Sequence, residues 1–134
     1  MNFDHKLTVG YKIWLEFHYD SENYPIIGEN KIELLKKIVE TGSIHSASED
    51  LNLDFKKAYD MLTNIQDKLG DELLFYSERG RQGGTKVTML ARALIDAYDS
   101  INSIFAEFNE KINAILDRGG LAHPTDLTFE NVLQ

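Results

Sequence analysis

The chain contains no cysteine. That absence removes disulfides, cysteine-type zinc sites and thiol nucleophiles together, and sets the expectation of a reducing, cytoplasmic setting. No apolar run approaches the ~20 residues that span a bilayer. Early charges at Asp4, His5, Lys6, Lys12 and Glu16 are unlike a signal peptide. Catalytic motifs are missing as well. GxSxG, HExxH and GxGxxG do not occur, and Gly84-Thr85-Lys86 reverses the order that a phosphate-binding P-loop needs. His5, His18, His45 and His123 lack metal-ligand spacing. The expectation is a protein that is not an enzyme and carries neither cofactor nor metal.

Basic residues are scarce: 14 Lys and Arg stand against 22 Asp and Glu, a net charge of −8. Their distribution is uneven. Residues 1–53 hold 5 basic and 9 acidic residues, residues 54–86 hold 6 and 6, and residues 87–134 hold 3 and 7. The middle third alone is neutral, and there the basic residues gather at a helix start and in a glycine loop. An acidic body does not forbid a partner of the same sign, because distant charges are screened beyond ~8 Å at physiological salt.

Length predicts one domain, residues 1–116, followed by a tail, 117–134. Val9, Tyr11, Ile13, Leu15 and Phe17 alternate through residues 7–17 and predict a strand with one buried face, Trp14 included in the core. Residues 18–23 form a turn and Tyr24–Ile27 a return strand with Pro25 at its start. Asn30 and Glu33 have the spacing of a capping box, so the first helix is expected over 31–41, with Ile32, Leu35, Ile38 and Val39 apolar and Gly42 just past its end. Ser43 caps a short second helix with Ile44, Ala47 and Leu51 on one face. Asn52 suits a left-handed turn. Asp54 caps a third helix, Phe55–Leu69, with Ala58, Leu62, Ile65 and Leu69 inward and Gly70 as its stop. Leu73–Tyr76 and Lys86–Thr88 read as short strands around the loop Gly80–Gly84. Thr88 caps a long helix, 89–116, that carries Leu90, Leu94, Ala97, Ile101, Ile104, Phe108 and Ile112 in a heptad-like seam.

Two short helices, a tight turn and a hairpin with a glycine tip are the parts of a winged helix-turn-helix. The expected fold is therefore mainly α with small β, an N-terminal hairpin in front and a long C-terminal dimerisation helix behind. In that arrangement Phe55, Lys56, Lys57, Asp60, Thr63 and Asn64 face a DNA groove, where Lys donates to guanine and Asn reads adenine. Ser43 and Ser46 lie at a helix start that suits phosphates. Arg79, Arg81, Gln82, Thr85 and Lys86 line the loop and suit phosphates or a narrow minor groove. Alone, Lys56 and Lys57 fit a solvated helix face, the glycine tip a plain turn, and the seam packing on the domain's own body. Their joint order and spacing favour binding of duplex DNA by a homodimer. A protein-interaction module that has lost DNA binding stays open beside it, on the net charge and on Asp54.

Leu34–Ile65, with Gly42-Ser43-Ile44, Phe55-Lys56-Lys57-Ala58-Tyr59 and the loop Gly80–Thr88, resembles the LysR-like winged-helix domain of the ModE family of molybdate-responsive regulators. The resemblance extends over roughly residues 7–105. It implies a transcriptional regulator whose dimer binds a palindromic operator through Lys56, Lys57 and the loop cations, at genes for molybdate or tungstate. Tyr59 replaces the family's usual Trp, Asn52 and Ala91 its Gly, and Asp54 its Ser, which sets a carboxylate near the phosphates. No segment of this sequence, residues 117–134 included, is expected to fold as one of the family's oxyanion-binding domains. The implied regulator lacks its own sensor, and a separate oxyanion-sensing partner is the alternative.

Overall fold

The computed structural model describes residues 6–78 and 84–118. It is a mixed α/β structure of four helices and two small antiparallel hairpins among the described residues. The described residues divide into two compact units: one within Ile13–Ser100, and a second that joins residues 6–12 with residues 101–118.

The larger unit begins with β1 (Trp14–Tyr19) paired to β2 (Glu22–Gly28), with an irregularity in register between Leu15 and Glu16. Asp20 and Ser21 form the connecting turn at φ 52° and 64°, the two positive values that a primed two-residue hairpin turn requires. Ile26 and Ile27 are buried. The expected strand over 7–17 is corrected: residues 7–12 are outside any strand, and Val9, Tyr11, Trp14 and Phe17 are all exposed. Only Ile13 and Leu15 pack on the core. Trp14 donates its indole N–H to Glu16 Oε1 at 2.6 Å.

Helix α1 (Glu29–Thr41) starts directly from Gly28, which still pairs with Trp14 in the hairpin. Its N-terminus has no side-chain cap, so the Asn30–Glu33 capping box is also corrected. Ile32, Leu34, Leu35 and Ile38 are buried, whereas Val39 is exposed. Gly42 ends the helix at φ 81°, in the left-handed region that favours glycine, and its N–H donates to Ile38 O at 2.8 Å. Helix α2 (Ile44–Asp50) is capped by Ser43, whose Oγ accepts from the Ser46 N–H at 2.9 Å. Asn52 takes φ 57° in the turn that follows.

Helix α3 (Phe55–Leu69) buries Ala58, Leu62, Ile65 and Leu69, all four on one stripe. Burial of each large aliphatic side chain contributes roughly 1.5–3 kcal/mol, and this stripe supplies the centre of the core. Asp54 occupies the N-cap position but makes no side-chain cap bond. The strands β3 (Phe75–Ser77) and β4 (Thr85–Val87) form the second hairpin, shifted by one to two residues from expectation. Helix α4 (Met89–Arg118) opens with Thr88 Oγ1 accepting from the Ala91 N–H at 3.2 Å. In this unit its buried residues are Ala91, Ile95 and Tyr98. Lys36 of α1 donates to Asp99 Oδ1 at 2.6 Å.

The smaller unit is a strap, residues 6–12, laid along α4 from residue 101 onward. Lys6 pairs with Asp117 at 3.0 Å, and Tyr11 stacks on Phe105 with ring centroids 5.9 Å apart. Asp117 and Arg118 belong to α4, and residues 119–134 of the expected tail lie outside the described residues.

Candidate nucleic-acid interface

Two glycines bring β4 against the turn between α1 and α2. The Thr85 N–H donates to Gly42 O at 2.9 Å, and Thr85 itself is buried. A Cβ on Gly84 would run into that same Gly42 carbonyl. Glycine at 84 is thus required by close approach, and glycine at 42 by its positive φ. One result is that Ser43 and Ser46, at the start of α2, stand next to the turn that β4 contacts. The Ser46 N–H is already satisfied by Ser43, and the Thr41 hydroxyl is engaged with Lys37 O at 2.7 Å.

Helix α3 presents its expected site residues in three directions. Lys56 and Asp60 point away from the buried stripe and are exposed. Thr63 lies beside them, its hydroxyl folded back onto Asp60 O at 3.1 Å. Phe55 and Tyr59 lean to one side and form a row: His45 to Phe55 at 6.4 Å, Phe55 to Tyr59 stacked at 6.2 Å, and Tyr59 edge-on to Phe75 at 6.3 Å. Phe55 and Tyr59 are both about half exposed. Lys57 and Asn64 lean the other way, toward α1. Lys57 borders a shallow recess with Glu33, Leu51, Leu53 and Met61.

Asn64 already has a partner. Lys31 of α1 donates to its Oδ1 at 2.7 Å. Burial, and after it the Lys68 cation, holds the Lys31 ammonium below its ordinary value. Lys68 donates to Pro25 O at 2.8 Å, and among the described residues neither cation has a carboxylate partner. Lys31 and Lys68 have no local spacing signal. They enter the site from a neighbouring helix and from the far end of α3, and sequence reasoning missed both.

Ion pairing divides the described cations. Lys6, Lys36, Lys37 and Lys111 pair with carboxylates. Among the described residues, Lys31, Lys56, Lys57, Lys68 and Lys86 do not, and they lie on α3, beside it on α1, or on β4. Lys12, Arg92 and Arg118 likewise have no carboxylate partner among the described residues and lie elsewhere. Arg79, Arg81 and Gln82 lie outside the described residues.

The expected seam on α4 divides in two. Leu90 and Leu94 are half buried against the core of the larger unit, and Ala97 is exposed. In the smaller unit, Ile101 and Ile112 are half buried, while Ile104 and Phe108 are each 64% exposed. Among the described residues no group of His, Cys, Asp or Glu is placed to hold a metal ion, and no helix is long and apolar enough to cross a membrane. No protein-family model matches the chain, and neither does any curated protein.

Proposed function

We propose that the chain is a winged helix-turn-helix protein that binds duplex DNA as a homodimer and regulates transcription. In this reading α2 and α3 are the helix-turn-helix, α3 is the groove-reading helix, and the loop between β3 and β4 is the wing. The observation that carries it is the concentration of cations without carboxylate partners on α3 and β4 of an otherwise acidic chain. Such cations are free to replace the condensed counterions of a phosphate backbone. Lys56, Lys57, Lys86, Arg79 and Arg81 would make phosphate contacts. The half-exposed rings of Phe55 and Tyr59 would give apolar contact with thymine methyl groups. Asn64 reads a base only if it gives up Lys31, which lowers its rank among the candidates.

The dimer half of the reading rests on the apolar face that α4 leaves exposed from Ile104 onward. On the ModE resemblance we further propose target genes for molybdate or tungstate. Genome-wide binding in cells grown with and without these anions reads both the sites and the signal.

Selection from a randomised duplex library, followed by fluorescence anisotropy, tests DNA binding. Lys57→Ala and Arg81→Ala should each weaken binding; unchanged affinity in both removes this contact face. The aromatic row from His45 to Phe75, exposed at Phe55 and Tyr59, favours a second reading, an interaction module for another protein. That reading prevails if no duplex, selected or random, binds at low salt.

A further inference from the structure

The strap owes its place on α4 to two asparagines one helical turn apart. The Val9 N–H donates to Asn113 Oδ1 at 2.7 Å. Val9 O accepts from Asn109 Nδ2 at 2.7 Å and from Asn113 Nδ2 at 3.2 Å. Asn113 Nδ2 also donates to Asn109 Oδ1 at 2.7 Å, which holds the two amides in register. Both backbone groups of Val9 are thus satisfied as a neighbouring strand would satisfy them, but by helix side chains. On either side, Lys6 pairs with Asp117 and the Tyr11 hydroxyl donates to Asn102 Oδ1 at 3.2 Å. The strap therefore runs antiparallel to α4 over its last turns.

This clamp gives an apolar result. Val9 and Tyr11 are set beside Ile104, Phe105, Phe108 and Ile112 around an open groove of about 370 Å³. Its polar side-chain groups are the Asn109 amide, engaged with Val9 and Asn113, and the Tyr11 hydroxyl, engaged with Asn102. A small-molecule site needs a few polar groups to orient its ligand, and none is free here. With Ile115, and with aromatic side chains each covering about 150–250 Å², the exposed fractions leave on the order of 600 Å² of apolar surface open. That is the upper end of what a monomer exposes in one patch. Two such faces together remove on the order of 1,200 Å² from water, the size at which a specific interface becomes stable. A self-complementary face of this kind fits a two-fold dimer.

We propose that the strap and the Ile104–Ile115 face of α4 form one composite surface, that a second copy of this chain covers it, and that the strap is part of the interface. The inference deepens the dimer reading above and rests on it. The bonds that hold the strap are exposed, and water competes for every one. Ordering of the strap is therefore coupled to burial of Val9 and Tyr11 under the partner.

Sedimentation equilibrium of the full chain tests this with the Asn109→Ala/Asn113→Ala variant. That variant frees the strap without touching an apolar lining side chain. Its dimer dissociation constant should rise about tenfold or more, equivalent to losing ~1.4 kcal/mol. A wild-type chain that stays monomeric overturns both this inference and the dimer reading. A wild-type dimer matched by an equally tight variant overturns the strap inference alone. Should the variant fail to fold, a photo-crosslinking benzoylphenylalanine placed at Val9 decides. Covalent dimers support the strap's place in the interface, and purely intrachain products overturn it.

Discussion

The Thr85 N–H reaches the Gly42 carbonyl at 2.9 Å, and this one bond joins the second hairpin to the turn between α1 and α2. It is possible only because residue 84 lacks a side chain, since a Cβ there would overlap the acceptor it leads to. The contact is backbone to backbone, so no rotamer change relieves it.

Gly84→Ala should therefore destabilise the protein by about 1–3 kcal/mol, the range for forced overpacking. Gly42→Ala should cost about 1–2 kcal/mol through its left-handed φ of 81°, with open space around its Cβ. Urea denaturation measures both. If Gly84→Ala unfolds at the wild-type midpoint, the close approach is not a structural requirement.

On the DNA-binding reading, the division between paired and unpaired cations has a direct salt signature. Lys86→Ala and Lys56→Ala should each flatten the slope of log K against log salt by about 0.9. Lys36→Ala should leave the slope unchanged, because Lys36 is committed to Asp99 on a different part of the surface. Equal slopes for all three variants would mean that pairing does not select the DNA-facing cations.

Lys36 and Asp99 link α1 to α4, and their geometry predicts an alkaline effect. The hydrogen bond that Lys36 donates to Asp99, opposed by burial and aided by the Asp99 and Glu33 charges, raises the Lys36 pKa above its ordinary 10.5. A raised folded-state pKa means that the folded protein holds this proton more tightly than the unfolded chain. The stabilisation is fully present below 10.5 and is lost as pH rises through the raised value. Both side chains are more than a third exposed, so a double-mutant cycle of Lys36→Ala and Asp99→Ala should give at most about 1 kcal/mol at neutral pH. The coupling should shrink with added salt and vanish well above 10.5. Coupling that persists there would show that the contact does not depend on the ammonium charge.

Elements whose signals are local were readable from sequence. Helix α3 falls on its expected residues because its apolar stripe repeats without interruption between Asp54 and Gly70, and Ser43 caps α2 as its residue type suggests. What escaped reading depends on partners far along the chain. Val9 and Tyr11 alternate like strand residues, but their alternation fits the side of α4, 100 residues away. Helix α1 begins at Glu29 because the hairpin delivers Gly28 directly into it, which overrides the capping pattern at Asn30. At the candidate site, Phe55, Lys56 and Asp60 were legible from α3's periodicity, whereas the hold of Lys31 on Asn64 crosses 33 residues and leaves no local trace.

The same dependence on distant partners splits the α4 seam into two halves that should respond differently to mutation. Leu94 packs on the core of its own chain, so Leu94→Ala should cost about 1–2 kcal/mol of folding stability, less than a fully buried leucine. Ile104 and Phe108 are each 64% exposed and support no core among the described residues. Ile104→Asp and Phe108→Asp should therefore leave the unfolding midpoint of dilute monomer within about 0.5 kcal/mol of wild type. On the dimer reading they should abolish self-association in concentrated solution, and with it the avidity that the proposed dimer would gain on a two-site operator. Thermal unfolding across a concentration series separates the outcomes. Wild type should gain stability with concentration while the two aspartate variants should not. Equal loss of monomer stability in Leu94→Ala and Ile104→Asp would mean that the distal half of α4 serves the chain's own core instead of a partner.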